Sequence, residues 1–219
     1  MAEIIITLFQ PSMLESWLRC RALAYMRSAF NDEITGEKEA APDNKSLSLV
    51  ALINGKVIGI ADIILLKDSL KRTKEYNLQP HTPLATLDTM AVHPDYQGQG
   101  IAKRLLKEAQ KQLKSYGGKL IIYTLSDKPA NRLYQSVGAK LCFGGYIVYG
   151  SSPKNLVPTF SRTQIKKQCE VALFSKFNQE IPYAKNGDEN YYVGQKKNIA
   201  LLQNVTKVVQ EHIYLLDLN

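Results

Sequence analysis

The chain has 219 residues, 45% of them apolar, and a formal net charge of +8. That much apolar content supports a packed core and excludes a disordered polyelectrolyte; the length suits one large domain or a domain with an extension. Three scattered cysteines, Cys20, Cys142 and Cys169, show no metal-ligand or redox spacing, so no metal and a reducing cytoplasm are expected.

The run 57–66 is broken by Asp62 and is too short for a membrane span. The apolar stretch 4–9 has no basic flank or cleavage site, so no signal peptide is expected. Basic residues are spread without an aromatic-rich module, which argues against nucleic acid.

Residues 3–9 read as a strand and 12–30 as a helix, with Ser12 and Glu15 spaced as a capping box. The stretch 31–45 is polar, with Asp32, Glu33, Glu37, Glu39 and Asp43 against Lys38 and Lys45. Two apolar runs around Asn54-Gly55 predict a hairpin over 46–66. A basic connection, 67–83, leads to a strand over 84–92 and a helix over 98–116. Ile101, Leu105, Leu106, Ala109 and Leu113 face one side of that helix, and Lys103, Lys107, Lys111 and Lys114 the other.

The apolar run 119–125 lacks alternation, as in a strand covered on both faces. Strand, helix and strand make a right-handed βαβ unit with a parallel pair. Pro129 suits the first turn of a helix ending near Val137, and 139–150 gives one long strand or a broken pair. From Ser151 the character changes. A linker is followed by helical spacing over 161–177 (Ile165, Cys169, Ala172, Leu173, Phe177) and over 199–216 (Ile199, Leu202, Val205, Val209, Ile213, Leu216). The expected organisation is a domain over 1–150 and a mainly helical extension over 151–219.

The segment from Val92 to Ala102 carries the clearest functional signal. Glycines at a helix start let backbone N–H groups face an anion, and the helix dipole adds favourable charge. The order Val92-His93-Pro94, then Gln97, Gly98, Gln99, Gly100, Ile101 and Ala102, resembles the acyl-CoA-binding motif of the GNAT superfamily of N-acyltransferases. The family's second motif is matched at Ala130 and Tyr134. It departs at Asp127, where asparagine is usual, and at Ala139, which replaces phenylalanine after Gly138.

The resemblance implies an α/β fold with a central mixed, mostly antiparallel sheet, one parallel βαβ pair and helices on both faces. It implies acetyl-CoA as co-substrate and direct attack by a primary amine, without a covalent enzyme intermediate. The amides from Gln97 to Ala102 would hold the pyrophosphate. The backbone of Met90, Ala91 and Val92 would pair with the pantetheine arm, and Asp127, Ala130 and Asn131 would complete the cofactor site. Tyr134 stands where the family places a tyrosine that protonates the leaving thiolate.

Asp88 interrupts an apolar strand and is the candidate base, acting through water. The resemblance also implies that the N–H of Ala91 or Val92 stabilises the oxyanion. His93 is expected at the loop surface. The resemblance implies an acceptor groove lined by the segment after the first helix and by the last strands, which makes the acidic 31–45 stretch and Tyr146 and Tyr149 candidates to line it; the acceptor itself, a small molecule or a protein amine, is not readable. A catalytically weak acyl-CoA-binding regulatory module is the alternative. The apolar stripe over 199–216 must be covered, by the domain or by a second subunit in a homodimer.

Overall fold

The computed structural model describes residues 3–26, 28, 35–38, 45–67, 70–153, 159–166, 169–187 and 190–219. The strands in chain order are β1 (Ile5–Leu8), β2 (Lys45–Ile53), β3 (Lys56–Leu65), β4 (Leu84–Val92), β5 (Lys119–Leu125), β6 (Lys140–Ser151), β7 (Phe160–Ile165), β8 (Val171–Ser175), β9 (Glu180–Ile181), β10 (Ala184–Lys185), β11 (Asn190–Val193) and β12 (Gln203–Asp217). The helices are α1 (Leu14–Tyr25), α2 (Leu70–Glu75), α3 (Ile101–Gln112) and α4 (Lys128–Ser136).

A nine-stranded sheet runs β1-β2-β3-β4-β5-β12-β6-β11-β10, and β7-β8-β9 form a second, small sheet. Only β4 and β5 are parallel neighbours in the large sheet; its other pairs are antiparallel. Asn54 and Gly55 close the β2–β3 hairpin, both at positive φ, as its turn requires.

Helices α3 and α4 cover one face of the sheet. Ile101, Leu105, Leu106 and Ala109 of α3 and Tyr134 of α4 join Ile58, Ile63 and Ile122 in the main core. Helix α1 covers the opposite face through Trp17 and Cys20, packed on Val50, Ile60 and Ala91. The small sheet sits farther along that same face, where Val171, Leu173 and Ile181 meet Ile121, Phe143 and Ile213. Among the described residues no helix is long and apolar enough to cross a membrane.

Among the described residues the extension predicted to be mainly helical is mainly strand, with a 3-10 helix over Lys196–Leu201. Residues 160–165 and 171–175 form an antiparallel strand pair, Thr163 opposite Leu173, and Phe177 is exposed. The longest strand of the molecule, β12, replaces the helix expected over 199–216. Val205, Thr206, Val208, Val209 and Ile213 are β-branched, which favours a pleated backbone. Its inner half is buried on both faces: Ile213 and Leu215 join one core, Tyr214 and Leu216 the other. A doubly buried strand gives an apolar run that satisfies helical spacing by coincidence.

Because β12 pairs with β5 on one side and β6 on the other, the segment after 150 completes the sheet. Deleting residues 203–219 would bare two long strand edges and the core between them. An insoluble or unfolded product is expected; a soluble truncation with a cooperative melting transition would contradict this placement.

Near the N-terminus, α1 begins after a short 3-10 turn. Its N-cap is Met13, with no side-chain cap, so Ser12 and Glu15 do not form the expected box. The short helix α2 falls within the connection 67–83, where no element was expected. Lys38 reaches the Asp62 carboxylate at 2.8 Å and lies 4.7 Å over the Trp17 ring, tying its segment to the α1 face. Of the acidic stretch, Asp32, Glu33, Glu39 and Asp43 lie outside the described residues.

Candidate active site

Strands β4 and β5 pair only from Leu84–Thr86 to Lys119–Ile121 and then part. The cause is local to β4. Its register against β3 jumps from Asp62 opposite Thr89 to Ile63 opposite Leu87, so Asp88 is an extra, bulged residue. A bulge raises the local twist and re-aims its side chain. On its other edge β5 stays paired with β12 as far as Leu125. The gap between the strands is a cleft of about 1070 Å³.

The open edge of β4 can be assigned group by group. The His93 N–H donates to the Ile58 carbonyl at 2.9 Å. By antiparallel alternation, Ala91 turns its N–H and C=O into the ladder with β3, while Met90 and Val92 turn theirs toward the cleft. Two contacts agree. The Val92 carbonyl accepts the Gln97 side-chain amide at 3.1 Å, and the Met90 carbonyl accepts the Tyr25 hydroxyl at 3.4 Å. The expectation for Ala91 as a backbone partner is therefore corrected: the outward N–H groups belong to Met90 and Val92.

At the end of β4 the chain turns through Gly98 (φ +76°) and Gly100 (φ +74°) into α3. A Cβ at either position would meet nothing, so the dihedral angle rather than space calls for glycine. Gly100 is the N-cap of α3 and offers no capping side chain, and the first turn holds no acid. The helical ladder starts with the Arg104 N–H on the Gly100 carbonyl at 3.0 Å, so the amides just before it have no helical acceptor. An anion is the natural partner of such an end. Gln97, Gly98, Gly100, Ile101, Ala102 and Lys103 line the cleft there, whereas Gln99 does not.

Across the cleft, Tyr134 of α4 is 6% exposed and lines the cavity. Burial pushes its hydroxyl well above the ordinary phenol range, and Tyr25 and Asp127 push the same way. The group therefore stays protonated throughout the neutral range. Among the described residues its hydroxyl has no hydrogen-bond partner. Asp127 is the N-cap of α4, accepting the Ala130 N–H at 3.0 Å. An acid of the same length in the asparagine's place thus serves the helix start, while Asp127 and Ala130 still border the cleft.

Asn131 is used differently from the expectation. Its amide donates to the carbonyls of Leu125 (2.8 Å) and Asp127 (2.6 Å). Its oxygen accepts the Tyr214 hydroxyl at 2.7 Å and lies 2.7 Å from His212 Nδ1. With both ends of its amide engaged by β5, α4 and β12, Asn131 is a structural tie, absent from the cleft lining.

Asp88 projects into the cleft, exposed, and its carboxylate accepts the Thr89 hydroxyl at 3.2 Å. His93 is a cap instead: its Nδ1 accepts the Asp95 N–H at 3.3 Å and its ring packs on Tyr96. Tyr146 packs with Val148, Tyr183 and Val193, and Tyr149 lies under Lys207; neither lines the cleft. Burial pushes the Cys20 thiol up to about 12 and the Cys142 thiol up to about 11, so neither is an activated nucleophile. Among the described residues no three metal-ligating side chains cluster. Tyr25 and Tyr123, which also line the cleft, were not legible as site residues. Tyr25 reads as part of the apolar face of a helix and Tyr123 as a core strand position.

The sequence profile of the acetyltransferase (GNAT) family matches residues 4–139, well over half of the chain. The chain belongs to the GNAT acetyltransferase family. No curated protein matches it in sequence. Solved structures share its fold at low identity. The ribosomal-protein-S18-alanine N-acetyltransferase of Escherichia coli is 17% identical, with a TM-score of 0.53 over 99% of this chain and 95% of that one. An N-acetyltransferase from Staphylococcus aureus Mu50 is 15% identical, with a TM-score of 0.56 over the whole of both chains. Arabidopsis thaliana NAA60, in complex with a bisubstrate analogue, is 14% identical, with a TM-score of 0.55 over 98% of both. The mixed sheet with one parallel pair, expected from the GNAT resemblance, is the fold observed.

Proposed function

We propose that this GNAT protein transfers the acetyl group of acetyl-CoA to a primary amine by direct attack in a ternary complex. The observation that carries the reading is the open edge of β4. It leads through the turn over 93–100 to an uncapped helix start, with Asp88 and Tyr134 on the walls beside it. The amides from Gly98 to Lys103 suit a pyrophosphate, and Lys103 adds a positive charge there. The N–H groups of Met90 and Val92 suit the amide carbonyls of a pantetheine arm laid along β4, as an added strand would be. One of them, near the reacting carbonyl, would serve as oxyanion donor.

Asp88 takes a proton from the acceptor ammonium, directly or through water, and leaves a neutral nitrogen. As the C–N bond forms and the C–S bond breaks, Tyr134 donates its hydroxyl proton to the departing sulfur, and the second proton, lost by the nitrogen as it becomes an amide, passes through water to restore the phenol while Asp88 releases the first to solvent. No covalent enzyme intermediate is needed, in keeping with the raised thiols. Thiol release from acetyl-CoA across a panel of amines tests the reading. Amine-dependent release supports it, and tight CoA binding without turnover on any amine would favour a regulatory binding module.

Asp88→Asn is expected to lower kcat/KM about 100-fold, the usual scale of a positioned base. It should also remove the acidic limb of the pH profile. An unaltered profile would exclude Asp88 as the base.

A further inference from the structure

Tyr123 stands level with Asp88. Counting on from the parallel pair Thr86 and Ile121 brings Asp88 of β4 and Tyr123 of β5 to the same height, on the two banks of the gap. Tyr123 lines the cleft and is 39% exposed. It lies directly opposite Ile213 of β12, and directly opposed residues share a face of the sheet. That face belongs to the second core, away from α3 and α4. In the acetyl-transfer reading the amides of α3 and the hydroxyl of Tyr134 serve the cofactor from the other face, so this one is left to the acceptor.

The hydroxyl of Tyr123 shares a short hydrogen bond with that of Tyr76. Tyr76 follows α2, is 4% exposed, and stacks on Phe143 with ring centres 5.7 Å apart. Its N–H donates to the Arg72 carbonyl at 3.1 Å, so backbone and ring are both fixed. Burial holds both phenols above their ordinary range, so two O–H donors meet in one hydrogen bond. If Tyr123 donated, the Tyr76 proton would point into the core, where among the described residues Tyr76 has no second hydrogen-bond partner. Tyr76 therefore donates and Tyr123 accepts. The Tyr123 oxygen is pinned, and its own O–H stays available to the cleft.

Such a donor needs a lone pair. An ammonium ion has none, and on the neutral amine the donor would occupy the lone pair that attacks. Asp88 across the gap disfavours a carboxylate. We propose that Tyr123 is a specificity residue whose O–H, oriented by Tyr76, binds an uncharged hydroxyl or carbonyl oxygen of the acceptor. The acceptor is then an amine that carries such an oxygen within reach of the facing bank, rather than a plain alkylamine. The proposal rests on the acetyl-transfer reading for the identity of the reacting nitrogen, but the oxygen site can be measured without turnover.

The test pairs amino alcohols of three to six carbons with the alkylamines in which a methyl replaces the hydroxyl, as 5-aminopentan-1-ol with 1-aminohexane. Each is titrated calorimetrically into the full chain with CoA present, and then assayed by thiol release from acetyl-CoA. At the length that spans the gap, the wild type is expected to bind the amino alcohol about fivefold more tightly or better, the discrimination of one hydrogen bond. Tyr123→Phe should erase that preference while leaving alkylamine and CoA affinity unchanged. Tyr76→Phe, which keeps the stack on Phe143, should shrink it by letting the Tyr123 hydroxyl turn. No preference at any length in the wild type, or a preference that survives in Tyr123→Phe, overturns the proposal. So does an equal loss of affinity for both amines in that variant, the mark of a structural role. A preference erased in Tyr123→Phe when no amine is acetylated leaves the oxygen site standing and removes the acetyl-transfer reading. Acetylation of both members of every pair without preference does the reverse.

Discussion

Gly100→Val is expected to weaken acetyl-CoA binding about 30-fold or more, with a modest fall in melting temperature. Gly100 holds φ +74° at the N-cap of α3. A left-handed residue with a side chain costs roughly 1–2 kcal/mol, and a β-branched one more. About 2 kcal/mol corresponds to about 30-fold in affinity. The free chain escapes the strain by relaxing the turn, but the relaxed turn no longer aims its amides at one point. Since a Cβ at Gly100 meets nothing, crowding is not the cause. Gly98→Val, at φ +76° in the same loop, should act in the same way. Calorimetric titration of acetyl-CoA checks both, and wild-type affinity in either variant would detach the loop from cofactor binding.

Tyr134→Phe is expected to cut kcat at least tenfold while acetyl-CoA affinity and melting temperature stay nearly unchanged. The ring packs in the main core and near Tyr214, and phenylalanine keeps those contacts. The hydroxyl has no partner to lose among the described residues, so its removal should register only in the chemical step. The sign of its perturbation adds a second readout. Burial holds the phenol above its ordinary range, so the wild-type rate should not fall through loss of this proton as pH rises toward 10, the usual phenol value. An alkaline limb near neutrality that disappears in Tyr134→Phe would contradict the assignment, as would an unchanged kcat.

The parts of this molecule legible in its sequence are those whose signals are local. The β2–β3 hairpin follows from Asn54-Gly55, and β4, the glycine turn, α3 and β5 follow from one apolar strand, one amphipathic helix and one doubly buried strand. The misread parts depend on distant pairing. The apolar positions from Leu202 to Leu216 fit a helical stripe equally well until β5 and β6 are seen to need a strand between them.

Asn131 looked like a cofactor ligand because its partners, Tyr214 and His212, sit on the misread strand. The bulge at Asp88 left no mark beyond a polar residue in an apolar run, yet it parts β4 from β5 and opens the cleft. Assigning the open edge to Met90 and Val92 rather than Ala91 needed the register with β3, which a single strand cannot provide.

A crystal structure of the protein with CoA bound tests the central claim most directly. The account predicts the pantetheine arm in the gap between β4 and β5, hydrogen-bonded to the N–H groups of Met90 and Val92. It places the pyrophosphate on the amides from Gly98 to Lys103. CoA bound elsewhere, or in the cleft with those loop amides left to water, would contradict it.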